Sequence, residues 1–356
     1  MSVPQVSVAM AVCNVERFLA EAIESVLGQT LEDLEFIIVD FGSTDGSKAI
    51  VRAYAGHDSR IKVSEISPCG LAEARNAACA RAQGRYLAVM DADDVCLPHR
   101  LESEVEFMEK NPDVGLVGGA TDWIDSTGRS LGVHEFPIEH SDIKSALETR
   151  FPFCHPTILM RQSAFQAVGG YRKPFAAAQD YDLGVRISER FRCANLPQVV
   201  LKYRIHPQQI SLQKQEQQTF GRLAAQASAQ FRRSAKPDPL DSANEISRET
   251  LAAMGVSDDR LQSILAADRR NWIRSMSAAG EYSAALAAAS ELLESNQAGV
   301  ESWQIADLQL TMAHLYWKQG DVVGSAAAAA RAVMKRPLVL GRPLKALLRR
   351  TREDEN

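Results

Sequence analysis

Three carboxylates within four residues close an apolar run, Arg85-Tyr86-Leu87-Ala88-Val89-Met90-Asp91-Ala92-Asp93-Asp94. So short a run, with an aromatic and a valine, reads as a buried strand of a parallel sheet. In open α/β sheets, ligands bind just beyond the carboxyl ends of strands. Carboxylates held together at such an end repel one another and resist desolvation unless a cation sits among them. A hard divalent ion, Mg²⁺ or Mn²⁺, prefers oxygen ligands and commonly completes its shell with substrate phosphates. Asp91 and Asp93 are two apart, so in extended backbone their side chains share a face. An acidic turn in solvent is the plainer reading of the same residues, and Asp94 reads as a cap of the turn that follows.

The elements that must position this cluster alternate strand and helix. Val6–Val12 is an apolar strand, and Glu16–Leu27 carries a helical stripe of Phe18, Leu19, Ala22, Ile23, Val26 and Leu27 that Gly28 can close. Glu35–Val39 is a second strand, followed by turn residues Asp40 to Ser47 and a helix through Ala55. Ile61–Ile66 predicts a third strand, Leu71–Gln83 an Ala-rich helix, and Pro98 starts a helix stopped by Asn111-Pro112. Val114–Ile124, Thr157–Arg161 and Val199–Ile205 are further strand candidates, and Asp180–Phe191 is a helix. This alternation predicts a doubly wound, mostly parallel sheet flanked by helices.

After Ser211 the sequence turns Gln- and Ala-rich and helical, which puts a domain boundary near 212. Gly280-Glu281-Tyr282-Ser283-Ala284-Ala285 and Gly320-Asp321-Val322-Val323-Gly324-Ser325 share a pattern at a period of 40. Their offsets resemble the second helix of a tetratricopeptide repeat, although the usual period is about 34 and about three copies are normally needed. A plain Ala-rich helical bundle remains the other reading.

The formal net charge of −5 gives no electrostatic footprint for nucleic acid. Hydrophobic residues at 46% support a sizeable core, and no run of 18 apolar residues is present. Met1-Ser2-Val3-Pro4-Gln5 lacks the basic-then-apolar order of a signal peptide. The six cysteines form no C-x-x-C pair, which suits free thiols in a reducing cytoplasm.

Six segments, in order over the first 210 residues, carry a likeness. They are Val6 to Asn14, Ile37 to Gly46, Ala74-Arg75-Asn76 with Asp91 to Asp94, Leu97 to Glu102, Gln179 to Leu183, and Tyr203 to Pro207. Together they resemble the inverting family 2 glycosyltransferases of the GT-A fold. The resemblance implies a Rossmann-like α/β domain over 1–211, and the change of composition beyond it an all-α domain over 212–356. It implies a metal-dependent transferase that takes a nucleoside diphosphate sugar and glycosylates a glycan or a lipid-linked acceptor in surface polysaccharide synthesis. By the same resemblance Asp93 contacts the metal, with Asp91 beside it and His206 as a further ligand; a lone His beside a proline is otherwise structural. Ala11, Cys13, Asn14, Asp40, Phe41, Arg75, Asp91 and Ala92 would bind the donor, and Asp180 would be the general base.

Four positions depart from the family pattern. Phe41 replaces an Asp that contacts uracil, Ala11 a Pro or Thr, Cys13 an aromatic residue, and Gln179 a Glu. Phe41 could supply the stacking face that Cys13 lacks. Asp40 could equally cap the turn after it, and Asp180 its own helix. His155-Pro156-Thr157 and Gly169-Gly170-Tyr171 would line the acceptor side, and Trp123 could stack on an acceptor sugar or sit in the core. A non-catalytic sugar-nucleotide or glycan-binding module is the alternative of another class. A nucleotidyltransferase would need a Gly-rich loop after the first strand, and Cys13 to Arg17 has no glycine. From Lys335 to Arg352 seven basic residues and no acid interleave with leucines. That segment, 335–352, suits a helix lying on an anionic membrane at the inner face of the cell membrane, or packing on its own domain.

Overall fold

A computed structural model describes residues 3–206, 209, 214–294 and 302–336. The first compact unit holds residues up to Arg204 and Glu216–Val256; the second holds Ile205–Gln215 and the chain from Ser257 on. Residues 216–256, which composition groups with the later helices, thus pack with the α/β part. The reason lies in the helix Gln215–Arg233, whose face of Gly221, Ala224, Ala225 and Ser228 is buried there.

In the first unit the strands are β1 (Val6–Val12), β2 (Leu34–Asp40), β3 (Ile61–Glu65), β4 (Tyr86–Met90), β5 (Val95–Cys96), β6 (Val114–Ile124), β7 (Ser130–His134), β8 (Leu159–Arg161) and β9 (Arg192–Arg204). Its helices are α1 (Glu16–Leu27), α2 (Ser47–His57), α3 (Leu71–Cys79), α4 (Arg100–Lys110), α5 (His140–Ala146), α6 (Gln162–Ala167), α7 (Gln179–Ser188), α8 (Gln215–Arg233) and α9 (Arg248–Ala253). The sheet order is β3-β2-β1-β4-β8-β6-β9-β5, with β7 paired to β6. β1, β2, β3 and β4 are parallel, and so are β6 and β9. β8 runs antiparallel between β4 and β6, and β5 antiparallel on β9. The fold is the expected GT-A class, a Rossmann-like mixed sheet flanked by helices and followed by a helical region.

β2 and β4 are buried along their whole length, which fits near-continuous apolar runs in a sheet covered on both faces. α1 lays Phe18, Leu19, Ala22, Ile23 and Val26 on the core. Register then sets the rim of the site. Val12 pairs with Asp40, and Met10 pairs with Met90. β1, β2 and β4 therefore release Cys13, Phe41 and Asp91 at one edge of the sheet.

Several elements differ from their predicted extents. β9 begins at Arg192 rather than Val199, because its first half alternates with Arg192, Asn195, Pro197 and Gln198 and carries irregular register against β6. Thr157 closes a one-turn 3₁₀ helix (His155–Thr157), and the strand starts only at Leu159. α7 stops at Ser188, short of Phe191. Neither β7 nor α5 was foreseen; the strand is mostly exposed and lacks apolar alternation.

The second unit contains α10 (Asp258–Ala278), α11 (Tyr282–Glu294), α12 (Ser302–Lys318) and α13 (Val322–Lys335). α10 and α12 end alike. Gly280 and Gly320 each take φ +81°, and the next residue's N–H reaches back to Met276 O and Tyr316 O at 2.9 Å in both. That is a Schellman cap on a left-handed glycine. The shared sequence pattern therefore marks two helical hairpins at a 40-residue period. Lys335 ends α13. The segment after Arg336, with most of the basic tail, lies outside the described residues, as does Pro207. Among the described residues no helix is long and apolar enough to cross a membrane.

Candidate active site

The acidic tip sits where β4 ends. Arg75, from α3, donates to Asp91 Oδ1 at 2.6 Å, and His155 Nδ1 lies 3.8 Å from Asp91 Oδ2. Burial alone would raise the pKa of Asp91. The Arg75 guanidinium, with the His155 ring beside it, outweighs that and holds it well below the usual carboxylate range. Arg75 is itself nearly buried, and against that desolvation the field of Asp91 first, then that of Asp180, keeps its guanidinium charged. Arg75 is thus committed to the first carboxylate of the cluster.

Asp94 plays a different part from the turn cap expected of it. Its Oδ1 accepts the Arg204 backbone N–H at 2.7 Å, tying the tip of β4 to the end of β9. Arg204 also donates to Asp93 O at 2.9 Å and Glu21 Oε2 at 2.6 Å, and its guanidinium lies over Phe18. Asp94 Oδ2 is buried without a partner in the structure. Burial first, then the charges of Asp93 and Asp91, push the Asp94 carboxyl well above its ordinary pKa. Ala92 is buried and Asp93 half-buried.

This tip suits a hard divalent cation. Among the described residues no three His, Cys, Asp or Glu side chains form a ready cage. Mg²⁺ and Mn²⁺ are commonly held by one or two carboxylates, with substrate phosphates supplying the rest. Asp93, with Asp91 beside it, offers that open arrangement. The crowding of carboxylates that pushes up the Asp94 pKa is what a cation would relieve. His206 falls in the second unit, where it is buried and its N–H reaches Gln209 Oε1 at 3.4 Å.

The rim beside β1 and β2 is braced by the chain's own polar groups. Asn14 stands at φ +53° and its Oδ1 accepts from Thr44 N at 2.8 Å, while Asn14 N donates to Ser43 Oγ. Asp40 Oδ1 accepts from Gly42 N and Ser43 N, each at 3.0 Å, whereas its Oδ2 is buried without a partner. So Asp40 caps its turn with one oxygen and leaves the other unpartnered. Phe41 N bonds Val12 O at 3.1 Å, which sets Phe41 beside half-buried Cys13. Burial and then Asp40 and Asp45 raise the Cys13 thiol pKa. Ala11 is half-buried in the same strand.

Asp180 is the second residue of α7, and its Oδ1 accepts the Tyr181 N–H at 2.9 Å. The residue before the helix, Ala178, takes a left-handed φ of +57°. Gln179 is buried with Oε1 unpartnered. Asn76, next to Arg75, clamps Tyr171 at both its N–H (3.0 Å) and its carbonyl (2.7 Å). Tyr171 OH in turn lies 3.0 Å from His155 Nε2, and burial keeps this phenol neutral. One bonded path therefore joins the acidic tip, His155, Tyr171 and α3. Trp123 stacks on His134 with centroids 3.7 Å apart and leans on Tyr203, so its faces are already covered in part.

Sequence reasoning missed the buried cluster behind α7. Asp182 is held by Arg172 and by Arg186, the latter at 2.6 Å, and Arg172 also reaches Asp238 at 2.8 Å. The signal was the i,i+4 pair Asp182 and Arg186; Asp238 lies too far along the chain to be paired by spacing.

Comparison with known proteins places these residues in context. The profile described as Glycosyl transferase family 2 matches residues 7–169. The chain is 39% identical to EpsE of Bacillus subtilis over 206 residues, covering 56% of this chain and 73% of that protein. It is 33% identical to the O-antigen biosynthesis glycosyltransferase WbnJ of Escherichia coli, covering 56% of this chain and 80% of that one. A solved structure of S. aureus TarS 1–349 in complex with UDP-GlcNAc is similar in fold, with TM-score 0.54 at 16% identity over 92% of this chain and 90% of that one.

Proposed function

The chain belongs to glycosyl transferase family 2 and is a glycosyltransferase, and from that premise we propose a metal-dependent, inverting transfer from a nucleoside diphosphate sugar to a hydroxyl. The acceptor would be a glycan or lipid-linked glycan in surface polysaccharide synthesis, the setting printed in the name of the relative WbnJ. The carrying observation is the acidic tip at the carboxyl end of β4, where Arg75 is held on Asp91 at 2.6 Å and Asp93 is left half-buried beside it.

In this reading Asp93, beside Asp91, holds the divalent ion, which when bound neutralises charge on the diphosphate. Arg75 keeps Asp91 ionised and holds it in place at 2.6 Å. Asp40 Oδ2, Ala11, Cys13 and Phe41 face the nucleotide, and Asn14 and Ser43 shape the loops that present them. Asp180 Oδ1 is occupied by the Tyr181 N–H, so Oδ2 takes the proton from the acceptor hydroxyl. The acceptor oxygen bonds the anomeric carbon as the bond to the diphosphate breaks, and the diphosphate leaves with the electron pair. Attack from the face opposite the leaving group inverts the anomeric centre.

Asp180→Asn tests this directly. Such a base contributes roughly 10²–10⁴-fold. Turnover on a panel of nucleotide sugars is expected to fall by that factor while donor binding is retained. Undiminished turnover would remove Asp180 from its role.

A further inference from the structure

α8 lies beyond the matched family profile, and one face of it runs along α7 and the loop that leads into Asp180. A methyl group placed on Gly221 would sit 2.5 Å from the Ala177 carbonyl oxygen and 3.0 Å from Ala178 Cβ. Those are the two residues whose backbone, left-handed at Ala178, turns the chain into α7. Five residues on, Gln226 Nε2 donates to Tyr181 OH at 2.8 Å, and that hydroxyl donates to Leu147 O. Two residues further, Ser228 Oγ accepts from Arg172 at 3.0 Å and donates to Asp238. Arg172 carries the connection to Asp182, two residues past Asp180. One turn later Arg232 pairs with Glu189 just past the end of α7, at 2.8 and 2.9 Å. Asp182 and Arg172 are nearly buried, so these bonds are little screened by water.

We propose that α8 is the positioning element for the catalytic carboxylate. Gly221 seats the left-handed turn at Ala178, and the Arg172–Asp182–Ser228–Asp238 network locks α7 against it. This rests on the reading of Asp180 as the general base. Among the described residues no charged side chain makes an ion pair with Asp180, so its place is set by its backbone. That backbone is set in turn by the helix start, by Tyr181 and by Asp182. A displacement of about 1 Å at a reacting group costs on the order of 10²-fold in rate. A residue that only seats the base should change kcat and spare donor binding.

The test uses the full chain. Its readouts are nucleoside diphosphate release from the fastest donor in a panel of UDP-, GDP- and dTDP-sugars, and equilibrium binding of UDP and GDP with Mn²⁺. Gly221→Ala is expected to lower kcat at least tenfold, with donor KM and nucleotide affinity within about twofold of wild type. Adding Ala178→Gly removes one of the two clashing atoms and frees the left-handed turn so that the Ala177 carbonyl can swing away, so the double variant should recover part of kcat. Asp238→Asn, which keeps the Arg172–Asp182 bonds, should lower kcat more mildly with the same sparing of nucleotide binding. Unchanged kcat in a folded Gly221→Ala, an equal fall in kcat and nucleotide affinity, or no rescue by Ala178→Gly would overturn the proposal. If Gly221→Ala does not fold, Asp238→Asn decides alone, and wild-type kcat there overturns it. An Asp180→Asn control separates the two failures. Full activity in that control sinks the base itself; a dead control with fully active Gly221→Ala and Asp238→Asn sinks only the positioning role.

Discussion

Phe41 stands one residue past the end of β2 and bonds back to β1 beside Cys13. It replaces an acid in the family pattern with an aromatic face, next to a position where the family carries the aromatic. Its neighbour Asp40 divides its carboxylate between its own turn and an unpartnered oxygen. If the ring has taken over stacking on the base, Phe41→Asp should weaken donor binding severalfold and reorder preference across a nucleotide-sugar panel. Unchanged binding in that panel would remove the compensation. At this scale the sequence was legible where chemistry is dense along the chain. Three carboxylates in four residues, and Asp40 with its turn, could be read directly. Partners brought from afar could not: His155 against Asp91 is 64 positions away, and Arg204 against Asp94 is 110. No spacing rule pairs residues that only the sheet order makes neighbours.

The elements around the site are fastened by a few buried polar side chains. Arg100 opens α4 with its side chain fully buried, donating to Val89 O at 3.0 Å, Cys96 Sγ at 3.1 Å and Glu104 Oε1 at 3.2 Å. It thereby joins α4 to the last turn of β4, directly under the acidic tip. Arg100→Met strands Glu104 in the core, and breaking a buried pair on one side costs about 3–5 kcal/mol. Denaturant unfolding should show that loss, and Arg100→Met with Glu104→Leu should recover much of it. Equal stabilities of single and double variants would contradict the role. α1, β1, β4 and β6 were legible because their apolar period matches their element and they are bounded by turn residues. β9 was read only in its second half, since polar residues and a proline interrupt the first, and there the pairing to β6 decides.

At the scale of the molecule, composition located a change of character near 212, whereas packing carries the first unit on to Val256. Alanine-rich helix looks the same whether it covers a sheet or stacks on another helix, so composition could not draw that line. The two hairpins of the second unit were legible because each helix end needs a left-handed glycine. Asp238 shows how the stability of the first unit should follow pH. Burial opposes its charge, but Ser228, the Leu240 N–H and Arg172 bring its pKa down to about 2. Its folded value lies below the unfolded one of about 3.9, so its contribution is whole above about pH 4 and is lost as pH falls through about 2. Acid unfolding should therefore steepen in that window, and Asp238→Asn should flatten it; identical profiles would contradict the linkage.

The acidic end of β4 is proposed to grip a metal-bound diphosphate. Calorimetric titration of UDP and GDP, with Mn²⁺ and then with chelator, against wild type and Asp93→Asn, measures this. Affinity for the preferred nucleotide is expected to drop at least tenfold on chelation and on Asp93→Asn, with the two losses not adding. Equal affinity with and without metal in the wild type would contradict it.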